Sequence, residues 1–388
     1  GVRRLPHAHW LRLTWRGASA SPWDLSTRQY WDIELDRVES TSLDEAALKF
    51  AELFEDSVRL RLRSDVPVGS SLSGGLDSSA VVCQIHALGA DAGQKTFSAR
   101  MDDPRLDEGR YIVAVTARTG IEGYDVWPSA DELEQLFPRL CYHLEEPFLS
   151  TSQFAQHLVM RLASQHGVTV LLDGQGADEL LAGYRPYFLT RFADLADRRQ
   201  LGALWREWRG FRARHTRVFP LGGRALAARL FPDLYRSLRG EAISGSQFIA
   251  EHLGAGLWSA DWLRSFADER PRPLRESNRD ALTQRLYADA MQGELQELLR
   301  YGDRNSMAWS REVRQPFLDH RLAEHLFTLP PEYKLFDGET KVLMRRAVRS
   351  LIPQSILHRQ DKLGYQAPLT TWFDGGLSNW AERQLEQA

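Results

Sequence analysis

The sequence predicts an α/β protein, with a doubly wound parallel sheet followed by a mostly helical portion. Short apolar segments alternate with helical patterns between residues 60 and 185, which is the order of elements that produces a parallel sheet covered by helices. One segment, VTVLLDG at 168–174, is an apolar run of the kind that is buried on both faces of such a sheet. From about residue 190 the strand signal disappears and helical patterns dominate.

Each element is predicted from its local pattern. Residues 1 to about 35 alternate apolar and polar side chains, which indicates a short hairpin or an extended connector. Helices are predicted where apolar residues recur at helical spacing, at 43–62, 78–90, 107–120, 130–144, 150–167 and in a short segment that Gly183 closes. Strands are predicted at 66–72, 95–100, 122–127 and 168–174. The later chain is Arg-, Leu- and Trp-rich at 190–275, with a loop predicted at 270–277 and mainly helices at 278–388.

Composition excludes several classes of protein. The chain has 388 residues, 43% of them hydrophobic and 26% charged, which suits a soluble globular protein with one large or two medium domains. A net charge of −3 gives no support to a nucleic-acid partner. No apolar run approaches the roughly 20 residues that cross a bilayer, so no membrane partner is expected. Cys83 and Cys141 are too few for a disulfide framework or a cysteine-rich metal site and predict a reducing cytoplasm.

The segment VPVGSSLSGGLDSS at 66–79 is the first candidate site. Its glycines let backbone amides approach an anion, its serines add donors, and the next helix directs its positive end there. The residues concerned are Ser73, Gly74, Gly75, Ser78 and Ser79. Asp77 repels a bare phosphate and becomes useful where a divalent cation bridges it to phosphate oxygens. The residues alone leave open a simple glycine turn in which Asp77 or Ser78 caps the helix.

Two further segments belong to the same argument. LLDGQGADELLAGY at 171–184 ends a buried strand with Asp178 and Glu179, and parallel strands bring this end to the same sheet edge as Asp77. Carboxylates that converge from different strands suit Mg²⁺ on a polyphosphate, although acids in a first helical turn are also stabilised by the helix dipole. In HRQDKLGYQAP at 358–368, Lys362 could reach phosphates in this cleft, whereas a lone lysine is ordinarily solvated.

Several motifs in fixed order identify a family resemblance. They are SDVPVGSSLSGGLDSS, TFSARMDD, EEPFLSTS, LLDGQGADELLAGY, DRNSMAWSREVRQPFLDHRL, ETKVLMRRA and DKLGYQAP. Over residues 43–375 they resemble the synthetase domain of glutamine-hydrolysing asparagine synthetases and their relatives, and their fixed order is more specific than any one motif. Residues 1–32 resemble the connector between the glutaminase and synthetase domains of that family.

The resemblance implies an ATP pyrophosphatase (PP-loop) fold and a two-step reaction with ATP and Mg²⁺. A carboxylate first attacks the α-phosphate of ATP and gives an acyl-adenylate and pyrophosphate. An amine then attacks the acyl carbon and releases AMP. It also implies a division into a connector at 1–42, a nucleotide-binding α/β domain at 43–190 and a mostly helical part at 191–388 that completes the synthetase domain.

The resemblance also implies roles for particular residues. The pyrophosphate loop would comprise Ser73, Gly74, Gly75, Asp77, Ser78 and Ser79, with Asp77 and Asp178 as Mg²⁺ ligands. Leu72, Ala99 and Gly174 would line the adenosine. Ser150, Thr151, Ser152, Gln175 and Glu179 would hold the carboxylate substrate or its adenylate. Lys362 would neutralise charge on the α-phosphate and the leaving pyrophosphate. Lys341 and Arg345 match family positions but are left outside the predicted site.

The sequence departs from the family pattern at two points. Gln175 stands where the best-studied asparagine synthetases have a glutamate placed to take a proton from the attacking ammonium, and a carboxamide is no base at neutral pH. The nucleophilic cysteine that begins the family's glutaminase domain is also absent, and Cys83 and Cys141 are predicted to be buried packing residues. Since the chain begins with Gly1, we expect a processed product or a piece of a longer protein, with ammonia from a glutaminase domain missing here.

Aspartate and ammonia are the default substrates, and two alternatives remain open. In a macrolactam-forming relative, such as a lasso-peptide cyclase or a β-lactam synthetase, an internal amine of a peptide or similar substrate replaces ammonia, and Gln175 is compatible with this. From another class, the chain could be a non-catalytic nucleotide-binding module, although intact Asp77, Asp178 and Lys362 argue against decay. The sequence leaves the acyl acceptor and the oligomeric state, including a homodimer, undecided.

Overall fold

A computed structural model describes residues 4–17, 23–90, 93–146, 150–215, 277–360 and 367–386 of the chain. Its first element is an antiparallel hairpin of strands β1 (His9–Trp15) and β2 (Trp23–Gln29). Trp15 lies opposite Trp23, with ring centroids 4.8 Å apart. The hairpin that the alternation of apolar and polar residues predicts is therefore present.

A five-stranded parallel sheet forms the centre of the fold. Its strands are β3 (Val68–Ser71), β4 (Lys95–Ala99), β5 (Glu122–Val126), β6 (Val170–Leu172) and β7 (Glu312–Arg314). They lie in the order β5-β4-β3-β6-β7, and every neighbouring pair is parallel. A helical portion follows, so the predicted α/β fold class is confirmed.

Helices connect and cover the strands. Up to residue 215 they are α1 (Leu43–Arg61), α2 (Leu76–Ala87), α3 (Gly109–Thr119), α4 (Ala130–Leu144), α5 (Ser152–Gln165), α6 (Ala177–Leu181), α7 (Pro186–Asp197) and α8 (Leu201–Arg214). From residue 277 they are α9 (Ala281–Met291), α10 (Glu294–Met307), α11 (His320–Thr328), α12 (Val342–Val348), α13 (Gln354–Leu357), α14 (Leu369–Trp372) and α15 (Ser378–Glu386). Within the described ranges, no helix combines the length and apolar character needed to cross a membrane.

Short elements complete the helical portion. Two-residue strands β8 (Leu335–Phe336) and β9 (Glu339–Thr340) pair antiparallel just before α12. Single 3₁₀ turns lie at Pro316–Leu318 and Pro331–Tyr333, and a π-helical turn at Phe373–Leu377 precedes α15. The β8–β9 turn thus leads directly into α12.

Strand β7 corrects the expectation that strands end near residue 190. It lies within the part predicted to be mainly helical, yet it pairs with β6 and forms one edge of the sheet. Arg314 donates to the carbonyl oxygens of Arg61 and Arg63, both at 2.7 Å, and so ties the strand to the end of α1. A three-residue strand without an apolar run leaves no periodicity in the sequence, and only its long-range pairing defines it.

One prediction about the cysteines is wrong. Cys83 is buried on α2, and burial raises the pKa of its thiol to about 11. Cys141 is exposed, because α4 turns Leu133, Leu140 and Leu144 into the protein and leaves Cys141 on another side of the helix. The raised pKa of Cys83 agrees with the prediction that it is no nucleophile.

Helix α1 links the sheet to the helical portion through aromatic contacts. The capping box of Ser42 and Glu45 begins the helix, and Phe54 on its inner face is 1% exposed. Phe54 stacks on Phe317 of the 3₁₀ turn after β7, with ring centroids 4.7 Å apart. This contact joins residues separated by most of the chain.

We expect Phe54→Ala to destabilise the protein by about 3–5 kcal/mol, because the truncation removes buried area and leaves a cavity against Phe317. Urea unfolding followed by circular dichroism measures the effect. Leu48→Ala on the same helix is the control, since Leu48 is 67% exposed and should change the unfolding midpoint little. Equal shifts for the two variants would contradict this account of the core.

Candidate active site

The two glycine-rich segments meet at the point where the strand order of the sheet reverses. From β3 the chain continues to β4 and β5 on one side, whereas β6 and β7 lie on the other. The loops that follow β3 and β6 therefore diverge from neighbouring strand ends, which is where ligands bind in open parallel sheets. A cleft of about 500 Å³ opens at this point.

Residues from distant parts of the chain line this cleft. The end of β3, the loop after it and the start of α2 contribute Ser71, Ser73, Gly75, Leu76, Asp77 and Ser78. The loop after β6, with α6 and the residues that follow it, contributes Asp173, Gly174, Gln175, Asp178, Gly183 and Tyr184. The helical portion contributes Thr340, Lys341, Arg345, Arg359 and Gln360, among others. The cleft is thus completed by the later half of the chain.

The loop after β3 folds back on the first turn of α2. Gly74 has a φ of +73°, and a Cβ there would meet the Cβ of Tyr111 at 2.8 Å, so glycine is required. Gly75 is the N-cap of α2, and the Ser73 amide donates to Ser78 Oγ at 3.2 Å. The alternative in which Asp77 or Ser78 caps the helix is therefore wrong, and the amides at the helix start border the cleft.

A single buried ammonium joins two of the predicted site residues. Lys341 Nζ donates to Asp77 Oδ1 and Oδ2 at 2.5 and 2.6 Å and lies 2.7 Å from Asp178 Oδ1. The side chains of Lys341, Asp77 and Asp178 are only 5, 13 and 8% exposed. They stand at the N-terminal ends of α12, α2 and α6. We call this group the ion triad, and Lys341 is the member that the sequence motifs did not place in the site.

Two glycines make room for the ion triad. A Cβ on Gly183 would lie 1.7 Å from Asp178 Oδ1 and 2.4 Å from Lys341 Cε. A Cβ on Gly174 would lie 2.9 Å from the Cβ of Asp77. Since contacts this short do not occur, both positions need glycine for the three charged groups to meet.

Two more acids lie close to the triad. Removal from water raises the pKa of Asp173 to about 6, and repulsion from Asp77 adds to this rise. Glu179 is fully buried, and burial raises the pKa of its carboxyl group. The Tyr184 hydroxyl donates to Glu179 Oε1 at 2.6 Å and opposes that rise. Glu179 therefore lies behind Tyr184, and it is Tyr184 that faces the cleft.

Two arginines connect the helical portion to the glycine loop. Arg359 donates to the Gly74 carbonyl at 3.0 Å, pairs with Glu108 at the start of α3 and lies 4.0 Å above the ring of Tyr111. Arg345 in turn donates to the Arg359 carbonyl at 2.9 Å. We call this chain of contacts the arginine latch. The motif HRQDKLGYQAP contains Arg359, whereas nothing in the local sequence indicates Glu108.

The predicted site residues fall into distinct groups. Those that line the cleft are Ser73, Gly75, Asp77, Ser78, Ser152, Gly174, Gln175 and Asp178. Gly74 lies in the loop that borders it. Those buried behind its wall are Leu72, Ser79, Ala99 and Glu179. Ser150 is exposed before α5, and Thr151 accepts a hydrogen bond from the Ala367 amide at 3.3 Å. Lys362 lies outside the described residues.

The donor chemistry of the triad suits a hard divalent cation. Two carboxylates already share one positive charge, and carboxylate oxygens are ligands that Mg²⁺ accepts. In the part of the chain that the structure describes, no group of three or more His, Cys, Asp or Glu side chains is arranged to hold a metal ion. A cation bound here would need further ligands, such as phosphate oxygens.

The fold and the cleft are those of an α/β protein in which a glycine-rich loop lies beside a buried acid pair, and comparison with known proteins identifies the family. The family model Asparagine synthase matches residues 49–388. The chain belongs to this family, which confirms the assignment from the ordered motifs.

Curated relatives are similar over most of this chain. Asparagine synthetase [glutamine-hydrolyzing] 1 of Bacillus subtilis is 28% identical over 94% of the chain and 56% of the relative. A putative asparagine synthetase of Mycobacterium bovis is 30% identical over 85% of the chain and 49% of the relative. Amidase chyE of Penicillium rubens is 25% identical over 90% and 57%. The chain thus spans about half the length of the curated relatives it matches.

Among solved structures, an NH3-dependent NAD synthetase from Campylobacter jejuni overlaps 37% of this chain and 61% of that chain. The TM-score is 0.26 and the sequence identity 14%. An overlap this weak supports no assignment beyond the family match.

We expect Gly183→Ala to destabilise the protein by about 1–3 kcal/mol, because the added Cβ overlaps Asp178 and Lys341 and forces the triad apart. Thermal unfolding measures the effect. The matched control is Gly202→Ala on α8, where a Cβ meets nothing within 4 Å and a helical alanine should be neutral or stabilising. A Gly183→Ala protein as stable as Gly202→Ala would show that the triad tolerates the extra carbon.

Proposed function

We propose that this chain forms an amide bond from a carboxylate and an amine at the expense of ATP, through an acyl-adenylate, with aspartate and ammonia as substrates. The observation that carries the proposal is the convergence of Asp77 and Asp178 on one cation beside the glycine loop. Neighbouring amides and a buried acid pair together suit a polyphosphate, and neither feature alone would do so.

In the proposed first step, the loop from Ser73 to Ser78 holds the phosphates of ATP through backbone amides and hydroxyl groups. Asp77 and Asp178 would hold Mg²⁺, which would shield phosphate charge. The substrate carboxylate attacks the α-phosphorus, and the bond to the leaving pyrophosphate breaks. Arg345 and Arg359 line the same cleft and would stabilise the developing negative charge. The predicted contribution of Lys362 is of the same kind.

In the proposed second step, the amine attacks the acyl carbon, the C–N bond forms and the bond to AMP breaks. Gln175 cannot take the proton that the nitrogen must lose. We assign this proton to the Tyr184–Glu179 pair: the amine proton passes to Tyr184 Oη while the hydroxyl proton passes to Glu179 Oε1. The hydrogen bond of 2.6 Å and the exposure of Tyr184 to the cleft support this assignment.

The source of ammonia belongs to the same proposal. The Bacillus subtilis and Mycobacterium bovis relatives are named as glutamine-hydrolysing. We propose that ammonia reaches this cleft from glutamine hydrolysed elsewhere in the complete protein. We also propose that the protein acts in the cytoplasm, where ATP and aspartate are abundant.

Pyrophosphate exchange tests the adenylation step. With ATP, Mg²⁺ and labelled pyrophosphate, we expect label to enter ATP when aspartate is present. Asp77→Asn should reduce the rate by about a hundredfold or more, because the Mg²⁺ that shields the phosphates loses a carboxylate ligand. Asp44→Asn on α1 is the matched control, since Asp44 is 67% exposed and is not among the residues that line the cleft. Lys362→Ala should reduce exchange as Asp77→Asn does.

The outcomes of this assay separate the candidate functions. Exchange with a peptide carboxylate but none with aspartate would favour a macrolactam-forming enzyme. An absence of exchange with every carboxylate offered would contradict adenylation and favour a non-catalytic nucleotide-binding module.

The Tyr184–Glu179 pair predicts a separation of the two steps. We expect Tyr184→Phe to leave aspartate-dependent pyrophosphate exchange within about threefold of wild type and to slow amide formation by about 10²–10⁴-fold, the usual contribution of a general base. Single-turnover amide formation from ATP, aspartate and ammonium chloride measures the second step. Tyr142→Phe, at a tyrosine that is 78% exposed, is the control. Equal loss of both steps would assign Tyr184 to substrate binding instead.

A further inference from the structure

The ammonium of Lys341 occupies the space between the two carboxylates to which the proposed function assigns Mg²⁺. Building on that assignment, we propose that Lys341 is an internal cation that keeps divalent metal out of the empty site and yields its place to the metal that enters with ATP. Metal and nucleotide would therefore bind together.

The distances exclude simultaneous occupancy. Lys341 Nζ lies 2.5–2.7 Å from oxygens of both Asp77 and Asp178. Mg²⁺ binds carboxylate oxygens at about 2.0–2.1 Å, so an ion held by these two groups would take the position of the ammonium. Two cations this close also repel strongly in a cleft where all three side chains are nearly buried. One of them must leave.

The residues around Lys341 keep its side chain between the two carboxylates. Gly183 lacks the Cβ that would overlap Lys341 Cε, which leaves a channel for the lysine stem. Lys341 has a φ of 55°, a left-handed conformation that is unusual for a residue other than glycine and is kept where the surroundings demand it. The ion pairs with the two buried carboxylates hold Lys341 in this conformation. Their loss would free the backbone at the start of α12 to relax.

The dependence on ATP stems from the ligands available. A metal ion that displaced Lys341 would gain two carboxylates, and the described residues hold no third His, Cys, Asp or Glu side chain arranged with them as a metal-binding group. Phosphate oxygens would supply further ligands when ATP is present. Thr340 and Arg345 line the same cleft. The displaced ammonium would stay beside them and would contact the same phosphates. The exchange therefore moves one positive charge from the acids to the nucleotide.

Metal titrations without turnover test this inference, with Mn²⁺ as the probe and electron paramagnetic resonance to count the free ion. We expect wild type to bind Mn²⁺ about tenfold or more tighter with α,β-methylene-ATP than without it, because the ammonium holds the empty site. Lys341→Met should bind Mn²⁺ without nucleotide about tenfold or more tighter than wild type. Lys49→Met on α1, whose lysine is 55% exposed, should behave as wild type.

Each outcome decides the matter. A folded Lys341→Met protein with no gain in nucleotide-free Mn²⁺ affinity would overturn the proposal. If Lys341→Met does not fold, the Mn²⁺ titrations of the wild type test the proposal. The proposal would be overturned if wild type bound Mn²⁺ as tightly without nucleotide as with α,β-methylene-ATP and if Asp77→Asn lost this nucleotide-free binding. Mn²⁺ binding that requires the nucleotide analogue supports the proposal. Failure of every variant to bind α,β-methylene-ATP would count against the proposed function. The titration of Mn²⁺ without nucleotide would still test whether Lys341 keeps the metal ion out.

Discussion

Two aspartates at the carboxyl edge of the sheet share one lysine ammonium, and the arrangement of the cleft depends on this contact. Asp77 and Asp178 are nearly buried, and acids so placed are costly unless a positive charge accompanies them. Lys341 supplies that charge from the far end of the chain. Removing one partner from a buried group of this kind typically costs about 3–5 kcal/mol, so the triad holds α2, α6 and α12 together.

The order of the strands explains why these residues meet. β3 and β6 are neighbours whose connections leave in opposite directions, so the loops behind them border one crevice. Gly174 allows the β6 loop to approach Asp77 closely. The helical portion then closes the crevice, because β7 extends the sheet beyond β6 and the arginine latch fastens Arg359 to the glycine loop.

These contacts give the ordered motifs a physical meaning. Several of the motifs contribute parts of one cleft, namely the glycine loop, the acid of α6 and the lysine before α12, and the arginine after α13 joins them. None of these parts holds a polyphosphate alone. A cleft assembled from both halves of the chain also excludes water better than a loop on one domain.

The local sequence was enough to predict the fold class and the family, and it pointed to the glycine loop and the two aspartates that the structure brings to one cleft, because each of these leaves a trace in periodicity, glycine placement or motif order. Tertiary structure decided that Lys341 joins the aspartates, that Glu179 pairs with Tyr184 behind the wall and that Glu108 anchors Arg359. It also decided that β7 belongs to the sheet and that Cys141 is exposed. Such contacts join residues far apart in the chain or depend on which side of a helix faces the protein. The local sequence pattern shows neither the long-range contacts nor the buried side of a helix, because burial and charge pairing are set only when the elements pack.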